Sequence, residues 1–177
     1  MVKNSGEVIL DYTVVYSARK TISISVDDCI VTVKAPIGTS DKTIREVVDK
    51  YSGWIEKNLD VQKKRKTLTE GLTPDDIKRL KKEAKKYLKD KTERFANIMG
   101  LKYGRITITS AQKRFGSCSS AGNISYSYRI MLYPEAAREY VVVHELAHLK
   151  EMNHSKAFYD IIEKILPDYK RRKRMLK

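Results

Sequence analysis

Cysteine, histidine and long apolar stretches are scarce in this chain of 177 residues. The two cysteines, Cys29 and Cys118, lie far apart in the sequence, and the first residues carry no apolar core of a secretory signal. Together these features predict free thiols in a cytoplasmic protein. No apolar run approaches the length that a membrane-spanning helix needs, so no membrane partner is expected. No internal repeat or low-complexity segment is present either.

Acidic residues are few relative to basic ones. The chain has 36 Lys and Arg against 22 Asp and Glu, a formal net charge of +14, with concentrations at residues 63–66, 78–91 and 170–174. Such a charge favours polyanionic partners such as nucleic acid, nucleotides or acidic proteins. A solvated basic surface with no anionic partner explains the charge equally well. Few aromatic residues interleave with the basic runs, so a base-stacking platform is not evident.

The three histidines, His144, His148 and His154, all fall within eleven residues. On a helix, residues four apart share a face, so His144 and His148 can direct two imidazoles at one cation. Glu145 lies about 100° further round and can reach a water molecule on that cation. Zinc is the expected ion, because imidazole suits it and a catalytic site uses three protein ligands.

A surface helix with two chance histidines and a salt-bridging Glu145 is the alternative explanation. It is less favoured because the surrounding helix is apolar nearly all round, which predicts burial. Buried imidazoles and a buried carboxylate need partners, and a cation supplies them. The apolar neighbours are Tyr140, Val141, Val142, Val143, Leu146, Ala147 and Leu149.

The helix must end between His148 and His154 if both are ligands. A straight helix would rotate His154 by roughly 120° off the His148 face and carry it about 9 Å along the axis. Asn153 tolerates the left-handed conformation that terminates helices, and Ser155 can cap a new helix. The sequence therefore predicts a helix break at Asn153.

The identity of the third ligand stays open at this point. Zincins with the longer HExxHxxGxxH pattern make the turn with a glycine, whereas Glu151 occupies that position here. His154 is favoured, because its neutral imidazole, six residues after His148, needs only a helix break to reach the ion. A downstream carboxylate, Asp160 or Glu163, is the rival.

The pattern of elements predicts an α+β fold with an N-terminal β-rich region and connecting helices. Residues 1–60 show alternating strands at 8–16, 21–26 and 30–35, as a hairpin or meander, then a helix from Ser40-Asp41 to Leu59. Residues 61–72 form a basic connector. Residues 73–177 form a zincin-like domain, with an HExxH helix beside a small sheet.

Within this third region, Thr73 and Pro74 predict the start of a helix running toward Gly100. Pro134 predicts the start of the helix that carries His144. The remaining predicted elements are a strand at 105–109, a Gly/Ser-rich loop at 115–123, a strand or pair of strands at 124–132, and a last helix at 155–166.

Several motifs together resemble the YgjP-like metallopeptidase family, which is related to SprT-like zincins. They lie at residues 114–118, 123–129, 140–149 and 153–158, with Pro134. The segments 18–24 and 31–36 look like the family's N-terminal β region and 53–55 like its following helix, so the resemblance covers nearly the whole chain. Phe115 departs from the tryptophan usual in that family, but an aromatic ring is kept. The resemblance implies that His144, His148 and His154 are zinc ligands and that Glu145 is the general base.

The segment from Arg114 to Ser119 is either a structural turn or part of the substrate site. In the second case Arg114, Ser117 and backbone N–H groups hold substrate or stabilise an oxyanion. Cys118 is not expected to be a nucleophile, because no histidine is left to activate it.

The favoured function is a zinc metallohydrolase, most simply a metallopeptidase acting on a protein or peptide, with nucleic acid as a further partner through the basic surface. One alternative, also implied by the resemblance, is a nucleoside triphosphate (UTP-type) pyrophosphatase, with Lys113, Arg114 and Arg129 as a phosphate clamp. Another is a nucleic-acid-binding module with a structural zinc ion.

Overall fold

The structure, a computed structural model, describes residues 10–177. It divides into two compact units, Met1–Leu68 and Thr69–Lys177, and the boundary lies within the predicted connector at 61–72. The start of the first predicted strand, at residues 8 and 9, and the residues that bear on a secretory signal lie outside the described part. No helix in the described part is both long and apolar enough to cross a membrane.

The first unit contains a three-stranded sheet of β1 (Tyr12–Ser17), β2 (Ser23–Asp27) and β3 (Ile30–Pro36), in the order β1-β3-β2. β2 and β3 form the predicted hairpin, with φ of 51° at Asp28 and 62° at Cys29 in its tight turn. β1 pairs with β3 in parallel, so the three strands do not form a meander.

Two helices follow, α1 (Asp41–Lys50) and α2 (Ser52–Thr69), where one helix ending near Leu59 was predicted. Ser40 caps α1 by accepting a hydrogen bond from the backbone N–H of Thr43. The break at Tyr51 separates the two helices, and α2 continues through most of the predicted connector. Lys and Arg are good helix formers, and no glycine or proline lies between Gly53, in the first turn of α2, and Gly71.

The second unit begins with α3 (Pro74–Met99), as predicted. Its N-terminus has a capping box, in which the Thr73 side chain accepts from Asp76 N–H and the Asp76 carboxylate accepts from Thr73 N–H. Its C-terminus ends at Gly100, whose φ of 64° is the left-handed conformation typical of a helix end.

A second sheet contains β4 (Ile106–Thr109), β5 (Gly116–Cys118) and β6 (Ile124–Ser127), in the order β4-β6-β5. β4 is parallel to β6 and β5 is antiparallel to it. The prediction of a loop throughout 115–123 was wrong, because β5 lies within it. The predicted strand at 124–132 ends at Ser127, where a 3-10 turn (Tyr128–Leu132) begins. Ser127 Oγ donates to Ala111 O and accepts from Arg129 N–H, which turns the chain.

The last three helices are α4 (Glu135–Ala147), α5 (Lys156–Ile165) and α6 (Tyr169–Arg174), of which α6 was not predicted. α4 is the centre of the core of this unit. Its buried residues are Ala137, Tyr140, Val141, Val142, Val143, Glu145, Leu146 and Ala147. The mixed α+β class with small sheets is as the sequence predicted.

Ion pairs hold α4 between its neighbours. The Lys91 ammonium on α3 lies 2.7 Å from a carboxylate oxygen of both Glu135 and Glu139. The other Glu139 oxygen lies 2.8 Å from the Arg172 guanidinium on α6, which also pairs with Asp168 at 2.6 Å. This network connects three helices and therefore limits movement of α4 between α3 and α6.

Candidate metal centre

The three histidine side chains converge beside the C-terminal end of α4. His144 lies on α4, His148 is the residue at which the helix ends, and His154 immediately precedes the Ser155 cap of α5. The imidazole centroids are 5.0 Å apart for His144 and both of the others, and 4.8 Å apart for His148 and His154. One ligand atom from each histidine lies within 4.8 Å of the other two, so the three can hold one ion.

The chain between His148 and His154 is a compact turn. Backbone N–H groups of Lys150 and Glu151 both donate to Ala147 O, at 3.0 Å, and Ser155 N–H donates to Asn153 O at 2.8 Å. The predicted break is present, but its mechanism differs from the prediction. Asn153 is not left-handed, because among the described non-glycine residues only Asp28 and Cys29 have positive φ. Hydrogen-bonded turns therefore terminate the helix.

Hydrogen bonds at the Nδ1 atoms orient two of the rings. His148 Nδ1 lies 3.2 Å from Glu151 O, and His144 Nδ1 lies 3.4 Å from Tyr140 Oη. A carbonyl oxygen can only accept, so His148 donates through Nδ1–H and keeps its Nε2 lone pair for a ligand bond. The Nε2 atoms of His144 and His154 are 3.2 Å apart, which places both at the point of convergence.

Phe158 packs against all three imidazole rings. It is fully buried, and its ring centroid lies 4.9, 4.6 and 4.8 Å from those of His144, His148 and His154. The sequence placed Phe158 in the predicted last helix at 155–166 but did not indicate contact with all three imidazoles. Its position in α5 follows from the Ser155 cap, whose hydroxyl accepts from Phe158 N–H.

The electrostatics of the cluster favour neutral imidazoles. Burial, together with the neighbouring His148 and His154 and the Lys173 ammonium, lowers the pKa of His144 to about 3. Burial is also the main cause that lowers the pKa of His148. A neutral imidazole is the form that binds metal, so the site is prepared for a cation at neutral pH.

Glu145 directly follows His144 on α4 and is 4% exposed. Burial raises the pKa of its carboxyl to about 8, and the positive charge of Arg114 opposes this rise. Its Oε2 atom is buried with no hydrogen-bond partner. An orphaned buried carboxylate oxygen is costly in a purely structural role.

The Glu145 carboxylate lies directly against β5. A Cβ added to Gly116 would stand 2.5 Å from Glu145 Oε1 and 2.7 Å from its Cδ. Gly116 therefore has a packing reason to be glycine. Side chains alternate along a strand, so Cys118 shares this face and Ser117 lies on the opposite one. Burial and the nearby Glu145 charge both raise the pKa of the Cys118 thiol, which disfavours the nucleophilic thiolate.

The backbone of β5 can be oriented from its pairing with β6. Ser127 N–H donates to Phe115 O and Ser119 N–H donates to Asn123 O, at 2.8 and 2.9 Å. Because hydrogen-bonded and non-hydrogen-bonded pairs alternate in antiparallel strands, residues 115, 117 and 119 direct their backbone groups toward β6. Gly116 and Cys118 direct theirs away from β6, on the edge side of the sheet.

Comparison with protein families now connects this geometry to known proteins. The model of the YgjP-like family, described as a metallopeptidase domain, matches residues 68–177. The chain belongs to this family. The matched domain contains the three histidines, Glu145, β5 and all of the second unit, so the family resemblance inferred from the motifs is confirmed for residues 68–177. The segments 18–24, 31–36 and 53–55 lie outside the match.

One solved structure is similar to part of the chain, the metallopeptidase zymogen abylysin of Pyrococcus abyssi. It is 26% identical over 49% of this chain and 89% of that chain, with a TM-score of 0.46. A search of curated proteins gives no match.

Within the YgjP-like domain, the other predicted site residues have different surroundings. Arg114 is exposed, and its positive charge acts to lower the pKa of the Glu145 carboxyl. The Arg129 guanidinium donates to Ser110 O and lies 4.9 Å from the centroid of the Tyr128 ring. The rival third ligands are not in the candidate metal-binding cluster found among the described residues. Asp160 pairs with Lys156 at 2.8 Å, and Glu163 is exposed.

Proposed function

We propose that this protein is a zinc-dependent peptidase in which His144, His148 and His154 hold the ion and Glu145 is the general base. The observation that carries the proposal is the juxtaposition of three converging imidazoles with a buried carboxylate that has an orphaned oxygen. The family match supports a metal-dependent peptidase, and the proposal adds the identity of the ion, its ligands and the general base. The HExxH helix beside a small sheet supports a zincin arrangement.

The residues fit zinc on chemical grounds. Three neutral imidazoles are a common ligand set for catalytic zinc and leave a further coordination position open. Outer hydrogen bonds at the Nδ1 atoms of His144 and His148 fix the rings, as is usual for metal-bound histidine. A bound zinc ion supplies Lewis acidity, which acidifies water and polarises a substrate carbonyl.

Glu145 then has two tasks, to accept a proton from water and to pass it to the leaving amine. A carboxyl whose pKa lies near the working pH can do both, and burial raises that of Glu145 to about 8. Arg114 and a nearby cation each favour the ionised form, which is the form that accepts the proton. The orphaned Oε2 is the atom available for this transfer.

We further propose that the substrate chain lies along the edge of β5. The N–H and C=O groups of Gly116 and Cys118 point away from β6, so an extended peptide can add to the sheet there. Gly116 also contacts Glu145, which brings a peptide on this edge close to the base. These backbone groups, rather than the Ser117 hydroxyl, are then the substrate-binding donors and acceptors.

Nucleotide hydrolysis is the second candidate, and one observation favours it. The positive charge of Arg114 lies near Glu145, where it could contact a phosphate group. The proposed clamp is weakened by Arg129, whose guanidinium is already engaged by Ser110 O and the Tyr128 ring. A structural zinc site is disfavoured by Glu145, since a buried carboxylate oxygen without a hydrogen-bond partner is costly and has no structural use.

The deciding experiment is a parallel assay of zinc-loaded protein against unfolded proteins, peptides and nucleoside triphosphates. Glu145→Gln serves as the control for contaminating activity. Peptide cleavage that is lost in the variant supports the proposal. Phosphate or pyrophosphate release that is lost in the variant, without peptide cleavage, would overturn it in favour of the nucleotide hydrolase.

A further inference from the structure

We propose that the lysine face of α3 is a docking surface for double-stranded nucleic acid, which it contacts through the phosphate backbone. Six lysines in twelve residues form this face, which we call the α3 stripe. They are Lys78, Lys81, Lys82, Lys85, Lys86 and Lys89, and all are exposed. The proposal concerns binding and does not depend on the chemistry of the metal centre.

The α3 stripe is continuous because of helical spacing. Its members repeat at intervals of three and four, so they share one side of the helix. Glu83 is the one acid in the sequence between the first and last of them, and it lies about 100° round the helix from Lys82. Lys81, Lys82 and Lys85 have no acid three or four residues away, whereas Asp75, Glu83, Asp90 and Glu93 stand at those distances from Lys78, Lys86 and Lys89. The middle of the basic face is therefore not neutralised along the helix, in contrast to Arg79, which pairs with Asp76 at 2.8 Å.

This arrangement is unfavourable for an isolated helix. Like charges at i and i+4 repel, and the α3 stripe contains four such pairs, beginning with Lys78 and Lys82. Alternation with glutamate would solubilise the helix without this repulsion. A polyanion that neutralises the stripe would remove this repulsion.

The basic surface extends beyond α3 toward the segment that precedes β5. Lys81 lies 5.7 Å and Arg129 lies 4.9 Å from the centroid of the same Tyr128 ring. Arg129 in turn donates to Ser110 O. Arg114, four residues after Ser110, acts through its positive charge to lower the pKa of Glu145. The α3 stripe is thereby joined through Arg129 to the segment that leads to the candidate metal centre.

The dimensions and chemistry favour a duplex. From Lys78 to Lys89 the stripe is about 16 Å long, an axial length over which a duplex carries about nine or ten phosphates on its two strands, and the six lysines can contact about half of them. Proteins that bind single strands need exposed aromatic rings for stacking. In residues 69–177, all of which are described, the exposed large apolar side chains are Ile98 and Met152, and neither is aromatic. Contact with the backbone alone predicts binding without sequence preference.

The test measures binding of the full chain to a short mixed-sequence DNA duplex by fluorescence anisotropy, between about 50 and 200 mM salt. With about five phosphates neutralised, the slope of log K against log salt should be about −4 to −5. The stripe variant replaces Lys82, Lys85, Lys86 and Lys89 with Gln. Its slope should be shallower by about 3 to 4, since each phosphate contact contributes about one.

A matched control variant replaces four other exposed lysines of the same unit, Lys102, Lys150, Lys164 and Lys170, with Gln. Both variants lower the net charge of +14 by the same four charges. The control should change the slope by less than about one. Gln has nearly the helix propensity of Lys, and thermal unfolding should show that the stripe variant is at least as stable as the natural chain.

Three outcomes would overturn the proposal. Equal loss of binding in the two variants would mean that net charge alone attracts DNA. Tighter binding to single-stranded DNA than to the duplex would contradict the backbone geometry. Binding of polyglutamate that depends on the stripe lysines, with no binding of the duplex, would assign the surface to an acidic protein instead.

Discussion

The carboxylate of Glu145 lies against the backbone of Gly116, so close that a Cβ on Gly116 would stand 2.5 Å from Glu145 Oε1. This contact joins the helix that carries His144 to the edge strand of the second sheet. It gives a physical reason for glycine in β5 that the backbone conformation does not require, since Gly116 is not among the glycines with positive φ.

Replacing Gly116 with Ala should therefore displace the base without removing a ligand. A displacement of about 1 Å at a catalytic group can cost about 100-fold in rate, so we expect a fall in kcat of this order. Zinc content should stay unchanged. Gly53→Ala is the control, because a Cβ there meets nothing within 4 Å, and it should retain full activity. Full activity of the Gly116 variant would show that the Glu145 contact is unimportant.

Glu145→Gln should leave zinc bound and reduce turnover by about 100- to 10,000-fold, the range for loss of a general base. The amide keeps the shape of the side chain but cannot accept the proton. Metal analysis and steady-state kinetics on the same preparation separate the two effects. An active variant with normal zinc content would assign the base to another residue.

His154→Ala should weaken zinc binding by more than about 100-fold, because it removes one of three ligands. Competition with a chelator measures this loss. Asp160→Asn and Glu163→Gln test the rival ligands, and both should bind zinc normally, since neither carboxylate belongs to the cluster. The reverse pattern would move the third ligand from His154 to a carboxylate.

Tyr140→Phe should lower zinc affinity about tenfold, at the low end for an outer hydrogen bond, since Tyr140 Oη and His144 Nδ1 are 3.4 Å apart. Tyr140 is a positioning residue in this prediction. Tyr169→Phe is the matched control. That ring is also nearly buried but stacks on Tyr159 instead of contacting a histidine. If both variants bind zinc equally well, the hydroxyl of Tyr140 does not orient His144.

The stability of the metal-free protein should depend on pH through Glu145. Burial raises its folded-state pKa to about 8, from 4.5 in the unfolded chain. The folded state therefore binds the extra proton between these values, so the stability is fully present below about 4.5 and is lost as pH rises through about 8. Metal-free Glu145→Gln lacks this loss.

Urea unfolding of both metal-free proteins measures the difference. They should be similarly stable near pH 4.5, and the variant should be more stable by a few kcal/mol near pH 8, at ~1.4 kcal/mol per pKa unit. The comparison cancels the contribution of the histidines, which changes in the opposite direction with pH. A difference that does not grow with pH would contradict a raised pKa.

The sequence by itself determined the ligand candidates and the main helices. Three histidines in eleven residues, with four-residue spacing and apolar neighbours, specify a buried helix that presents His144 and His148. Local signals were sufficient because helical periodicity and capping are short-range. The Thr73 cap, the Gly100 terminus and the Ser155 cap all lie where the residues predicted them.

Only the tertiary structure decided which distant residues meet. Gly116 and Glu145, Phe158 and the three imidazoles, and Lys81 and Arg129 on one Tyr128 ring are contacts between different elements. The three residues of β5 are too few to show an alternating pattern, and their strand conformation depends on pairing with β6. Helix periodicity depends on residues that are close together in the sequence, whereas strand pairing and side-chain contacts depend on segments that are remote along the chain.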